Sequence, residues 1–268
     1  MKIQTLQKIF KMAALGDGVI ERLRIFGIIF FRLVRAKVQL PIRPVSIRVC
    51  VNGVSCSVCL GDRPDDMWVF DEVLVQEEYK VTEVVSPRVI VDAGGNIGLS
   101  AIYFATRFPE ATVYTIEADP ETFKRLKENT AQCKNIIPIN AALTARDGKE
   151  VSFYRGERSV ASSLHRRSLT DIEVRVKTVS IDWIMSTYGI GVIDICKFDI
   201  EGGEADAFTI GNLSTKIRFC IGEVHGDLIP ISREAFLGLF TGYTTTIMEL
   251  GKDRFILRAS ALSISSTT

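Results

Sequence analysis

Residues 89–100 read Val89-Ile90-Val91-Asp92-Ala93-Gly94-Gly95-Asn96-Ile97-Gly98-Leu99-Ser100, and this run decides the fold. Its β-branched start is a buried strand. Gly94, Gly95 and Gly98 then permit a sharp turn and a close approach of backbone to ligand. A helix follows to about Arg107, and its first turn leaves free N–H groups aimed at whatever lies before it. A second apolar strand, Thr112–Glu117, ends on the acid Glu117. That is where nucleotide-binding α/β proteins hold a ribose. The pattern predicts a ribose-bearing cofactor, with Asp92, Gly94, Gly95, Asn96, Gly98 and Glu117 around it.

Working outward, strand and helix alternate. Further strands are expected near Ile136–Ala141, Val192–Asp199 and Arg218–His225. Helices are expected near Pro120–Gln132, Ile181–Tyr188, Glu204–Gly211 and Arg233–Phe240. Asp119-Pro120 opens the first of these with a cap and a first-turn proline. Such alternation implies a parallel sheet covered on both faces. The chain closes with an antiparallel pair, Tyr243–Glu249 and Arg254–Leu257, turning at 251–253. Two more alternating stretches, Glu150–Tyr154 and Asp171–Thr178, flank a polar, basic loop. Upstream, residues 1–37 read as mostly helical. Pro44–Leu60 is a hairpin about Asn52-Gly53, and Val69–Val84 reads as a helix stopped by Pro87. The expected fold class is α/β, a Rossmann-like sheet, mostly parallel with an antiparallel C-terminal hairpin. The expected division is a helical segment plus hairpin over 1–66 and a catalytic domain over 67–268. Asn140 and Ala141, ending the third strand, would border an adenine by their place in such a fold.

A dinucleotide fingerprint needs G-x-G-x-x-G, and here Ala93 stands at the first glycine. The better description is D-x-G-x-x-x-G, formed by Asp92, Gly94 and Gly98. An acid at the strand end repels a pyrophosphate and suits a cationic ligand with an amino group, such as S-adenosylmethionine. This pattern resembles the class I methyltransferases. A second block, Lys197-Phe198-Asp199-Ile200-Glu201-Gly202-Gly203-Glu204, resembles the FkbM-type methyltransferases more specifically. So do Phe70-Asp71-Glu72 with Tyr79 upstream, and Glu223-Val224-His225 downstream. Gly203 departs from the alanine more usual in that block. The resemblance runs from about Trp68 to about Phe240. It implies an S-adenosylmethionine-dependent O-methyltransferase whose acceptor hydroxyl lies on a sugar, a glycan or glycolipid, or a secondary metabolite.

Asp92, Glu117, Asp199 and His225 all fall at expected strand ends, so they should converge. A hydroxyl is a poor nucleophile and is helped by a base. His225, with a near-neutral pKa and two residues from Glu223, is the first candidate; a structural histidine is the plain alternative. Asp199 and Glu201 would share a strand face, one binding substrate or acting as base. With Glu223 they could hold Mg²⁺, although the reading favours no metal. Glu204 would only neutralise a helix N-terminus. His165, Arg155, Arg158, Arg166 and Arg167 would either grip an anionic acceptor or simply be solvated.

The chain has 268 residues and a net charge of +1, which gives a nucleic-acid role no support. Six cysteines are scattered, and Cys56-x-x-Cys59 has no second pair at zinc spacing. Free thiols fit a reducing cytoplasm, the expected location. A disordered tail is expected over 263–268. Residues 20–35 are apolar but broken by charges, too short an uncharged run to span a bilayer. They would lie on the inner face of a membrane, on their own domain, or on a partner. Two rivals remain: an NAD-linked oxidoreductase and a non-catalytic scaffold binding a membrane or partner. Oligomeric state is left open.

Overall fold

A computed structural model describes residues 3–37, 43–63, 65–156, 163–164, 166–209 and 211–262. The central sheet has seven strands: β3 (Val89–Ala93), β4 (Thr112–Glu117), β5 (Ile136–Asn140), β9 (Ile193–Phe198), β10 (Ile217–His225), β11 (Tyr243–Glu249) and β12 (Arg254–Ala261). Their spatial order is β11-β12-β10-β9-β3-β4-β5. The five strands from β10 to β5 run parallel. The C-terminal hairpin pairs antiparallel, with β12 inserted beside β10 and β11 at the edge. Chain order reverses between β3 and β9. Ligands of open α/β sheets bind at such a switch point, beyond the carboxyl ends of the strands.

Both faces are buried, as the alternation requires. On β3, β9 and β10 the residues Ile90, Ile195, Phe219 and Ile221 enter one hydrophobic cluster. Their neighbours Val91, Cys196, Phe198 and Cys220 enter the other. The first face is covered by α4 (Leu99–Arg107) and then by the N-terminal layer: α1 (Ile3–Ala14), α2 (Val19–Lys37) and the hairpin β1–β2 (Val45–Val51, Val54–Leu60). The hairpin turns at Asn52-Gly53, both at positive φ, as that pair predicts. The second face carries α6 (Ile181–Tyr188) and an aromatic group that includes Phe208, Phe236 and Phe240. A small side sheet joins β6 (Ala142–Leu143), β7 (Glu150–Arg155) and β8 (Ile172–Val179).

Four expectations need correcting. The helix expected over Val69–Val84 stops early: α3 (Asp66–Phe70) passes into one π-type turn, Asp71–Val75, and the chain then runs irregularly. Glu77 takes φ 50°, and Glu78 N–H bonds back to Glu72 O at 3.0 Å. The segment after it buries Tyr79 and Val81 instead. The helix expected over Glu204–Gly211 is only α7 (Glu204–Ala207), followed by α8 (Leu213–Lys216). The third strand is two short ones, β5 and β6, joined at Ala141. The helix near Arg233 is α9 (Arg233–Gly238), two residues shorter than expected. The expected disordered tail, His165 and Arg158 lie outside the described residues.

Candidate active site

At the switch point a cavity opens among the exits of β3, β4, β5 and β9. Gly94, Asn96, Glu117, Ala141, Asp199 and Glu201 line it, with Leu143, Phe153 and Leu164 forming an apolar wall. Gly94 has φ 77°, and a Cβ there would stand 1.8 Å from the Asp199 carbonyl oxygen. Only glycine lets the β3 turn pass so close to the β9 exit. Gly95 and Gly98 serve packing: a Cβ would meet Thr115 Oγ1 at 2.2 Å and Thr130 Cγ2 at 2.8 Å respectively. Asn96, at φ 48°, lines the cavity, and its Oδ1 is buried with no hydrogen-bond partner. Asp199 Oδ1 is in the same condition. Two unpaired acceptors beside one cavity fit a ligand bearing an ammonium group, since buried polar atoms are otherwise satisfied.

Asp92 does not face the cavity. It is fully buried and accepts from Ser100 Oγ at 2.9 Å and Thr115 Oγ1 at 2.8 Å. Lys197 Nζ lies 3.3 Å from it. The same ammonium donates to Gly94 O at 2.8 Å and Ala93 O at 3.3 Å. The charge at the strand end is therefore neutralised from within, and its work is to fix the glycine turn. A lysine inside a wholly buried strand was the available signal, because such a lysine is rarely buried unless paired.

Glu117 lines the cavity and is almost wholly buried. Asn96 N–H donates to its Oε2 at 2.9 Å and Asp119 N–H to its Oε1 at 2.8 Å. Burial pushes its pKa up to about 7, against the pull of those two bonds. Each oxygen keeps a lone pair for a hydroxyl donor. Asn140 lies to one side: its amide donates to Glu117 O at 2.8 Å and Ala118 O at 3.2 Å, pinning the strand exit. Ala141 reaches the cavity. Asp119 caps α5 (Pro120–Thr130) and accepts from the Arg155 guanidinium. That contact holds Arg155 in the framework, and Arg166 likewise sits by Glu173 at 3.7 Å.

On the other side, Asp199, Glu201 and His225 each bring one ligating atom within 4.8 Å of the others. They do so without the strand geometry expected, because β9 ends at Phe198 and Glu201 takes φ 52° in the turn beyond it. The left-handed turn, not a shared strand face, aims Glu201 at the imidazole. His225 Nδ1 lies 3.3 Å from Glu204 Oε1; Nε2 lies 3.4 Å from Glu201 Oε2 and 3.6 Å from Glu223 Oε1. Glu204 is fully buried and also accepts from Gly202 N–H at 3.2 Å, so it orients the ring rather than merely neutralising a helix end. Burial lowers the imidazole pKa, but the Glu204 bond and the charges of Glu201 and Asp199 outweigh it and push it up to about 9. The near-neutral value expected for this residue is not found. Burial pushes Glu201 up to about 8, against the attraction of His225. Arg167 pairs with Glu201 at 3.1 Å, and Arg254 pairs with Glu223. Tyr79 O–H donates to Asp199 Oδ2 at 3.2 Å, with Lys197 5.0 Å from its ring. In sequence Tyr79 carries part of the family resemblance but no place in the site, because nothing local ties residue 79 to residue 199.

The family profile described as the methyltransferase FkbM domain matches residues 92–240, from the end of β3 through β4, β9 and β10. The chain belongs to the FkbM methyltransferase domain family. Among relatives, the hexuronic acid methyltransferase AglP of Haloferax volcanii is 30% identical over 150 residues, covering 55% of this chain and 60% of that protein. The 2-O-methyltransferase NoeI of Sinorhizobium fredii is 26% identical over 152 residues, covering 50% and 62%. Methyltransferase 1 of Beauveria bassiana is 24% identical over 162 residues, covering 52% and 64%. The chain thus spans about three fifths of the length of these curated relatives. The FkbM match takes in Asp92, Glu117, the Lys197–Glu204 block and His225, and it begins downstream of Tyr79 and the N-terminal layer.

Proposed function

We propose that the chain is an S-adenosylmethionine-dependent O-methyltransferase acting on a hydroxyl of a sugar, glycan, glycolipid or secondary metabolite. The observation that carries this is the cavity itself. At one end Glu117 offers acceptors for ribose hydroxyls, beside the unpaired Asn96 Oδ1 and Asp199 Oδ1. Glu201 lines the same cavity, and His225 lies against it at 3.4 Å. In this reading residues 67–268 carry the reaction and residues 1–66 form an added layer.

Bound cofactor supplies an electrophilic methyl on a sulfonium, whose sulfur leaves as a neutral thioether. The protein has then to align the acceptor oxygen with that methyl and keep water out. Leu143, Phe153 and Leu164 supply the apolar wall. His225 Nε2, the ring nitrogen not held by Glu204, would take the proton of the acceptor hydroxyl. Since the imidazole is held protonated up to about pH 9, it gains capacity as a base on the alkaline side. Asp199 and Glu201 position the acceptor hydroxyl. The donor set Asp199, Glu201 and His225 could also take a divalent cation, but the reading needs none: chelation should leave turnover unchanged. The relatives' names direct the acceptor search. Labelled methyl should pass from S-adenosylmethionine to a uronic acid or another sugar, and His225→Ala should lower that rate by about 10²–10⁴-fold. Turnover with NAD and a hydroxylated substrate, and none with S-adenosylmethionine, would overturn the assignment.

A further inference from the structure

Helix α2 has two apolar faces. One is used: Ile25 and Ile29 are buried against the hairpin and α1, together with Glu21 and Arg32. The opposite face is open: Val19, Ile20 and Leu23 are 71%, 84% and 70% exposed, and Phe30 and Phe31 are exposed further along. Phe10 of α1 extends it, exposed and with its ring tilted 5.0 Å from that of Phe26, which in turn stacks 6.5 Å from Phe30. The result is a contiguous apolar surface where a soluble domain rarely leaves one. A helix apolar on both sides normally sits between two apolar environments.

Its charge says which second environment fits. Residues 3–37 hold seven Lys and Arg against two Asp and Glu, although the whole chain is only +1. Arg22 and Arg24 flank the apolar face by their helix positions, Arg22 donating to Gly16 O at 3.2 Å and Arg24 pairing with Glu21 at 2.8 Å, and Arg35 stands 4.9 Å over the Phe31 ring. Two copies of this surface would bring like charges together, which opposes self-association. No helix among the described residues is long and apolar enough to cross a membrane. An apolar face rimmed by arginine on a helix that cannot span is the pattern of an element lying in the headgroup layer of anionic lipid.

We propose that α1 and α2 dock the protein on an anionic membrane surface through Phe10, Val19, Ile20, Leu23, Phe30 and Phe31. Docking also sets the orientation of the site. Lys8 on α1 pairs with Asp71 at 2.8 Å, and the adjacent Glu72 faces Glu223 and Asp199. The active-site cleft therefore lies one element from the docked surface. The inference stands on the surface alone and holds whatever reaction the site performs.

Co-sedimentation of the full chain with vesicles tests it, using phosphatidylcholine alone and phosphatidylcholine mixed with phosphatidylglycerol. The expected result is binding to the anionic vesicles, weaker by at least tenfold on neutral ones or in high salt. Leu23→Glu with Phe30→Glu should abolish it while circular dichroism and melting temperature stay unchanged. If that pair disturbs folding, Ile20→Ser with Leu23→Ser decides in its place. Wild type that stays in the supernatant with both vesicles overturns the proposal. So does a folded variant that sediments like wild type. Light scattering that shows a wild-type dimer and a variant monomer, without vesicle binding, would assign the face to a second copy instead.

Discussion

Glu117 shows how one residue can be set against the stability of the free protein. Its pKa is raised from the ordinary carboxylate value to about 7 by burial. The proton is favoured in the folded state, so the group's stabilising contribution is full below the unfolded value and is lost as pH rises through about 7. Cofactor binding has the opposite need, because only the carboxylate accepts from both backbone donors and a ribose at once. Affinity for S-adenosylhomocysteine should therefore fall as pH drops below about 7, measurable by titration calorimetry across pH. His225 yields a second prediction. Glu204→Gln replaces the carboxylate whose hydrogen bond most raises the imidazole pKa with a neutral amide, while keeping an acceptor for Gly202 N–H. The rising limb of the pH–rate profile should move from about 9 toward neutrality, and a profile that stays in place would remove Glu204 from the role of orienting the ring. The placement of these residues was legible in sequence, because Glu117 and His225 end the strands β4 and β10. The imidazole pKa was not, since it depends on Glu204 and Glu201, which reach the ring only through a left-handed turn.

Among elements, the β3 turn is the most constrained. Gly94→Ala would combine a left-handed residue, costing about 1–2 kcal/mol, with a clash against a backbone oxygen that cannot move aside. Loss of cooperative folding or of cofactor binding is the expected result. Lys197→Met would leave the Asp92 carboxylate buried beside Ser100 and Thr115 without its cation. Breaking a buried pair in this way costs about 3–5 kcal/mol, to be read from urea denaturation. A change under about 1 kcal/mol would mean that the Lys197–Asp92 pair does not hold the glycine turn. Strand β3, its turn and α4 were readable from Val89 to Ser100, since β-branched residues and glycines each have a single plain use there. The stretch after Val75 was not. Its residues suit a helix, yet burial of Tyr79 over Asp199 prevails, and a partner 120 residues away leaves no local trace.

At the scale of the whole molecule, the reversal between β3 and β9 gathers residues from distant parts of the chain along the carboxyl edge of the sheet, where the parallel strands end. Alternating strands and helices made the α/β class and the antiparallel ending legible. Strand pairing order was set by which apolar faces could be covered together, and that is a property of the assembled layers. The same layering leaves the outer face of α2 uncovered. The central claim is that this edge holds S-adenosylmethionine through Glu117. Calorimetric titration of the full chain with S-adenosylhomocysteine, on wild type and Glu117→Ala, tests it most directly. Micromolar-range binding, about −8 kcal/mol, weakened at least tenfold in the variant, is the predicted result. A folded wild type that gives no binding heat and no rise in melting temperature, or a variant that binds as tightly as wild type, would contradict it.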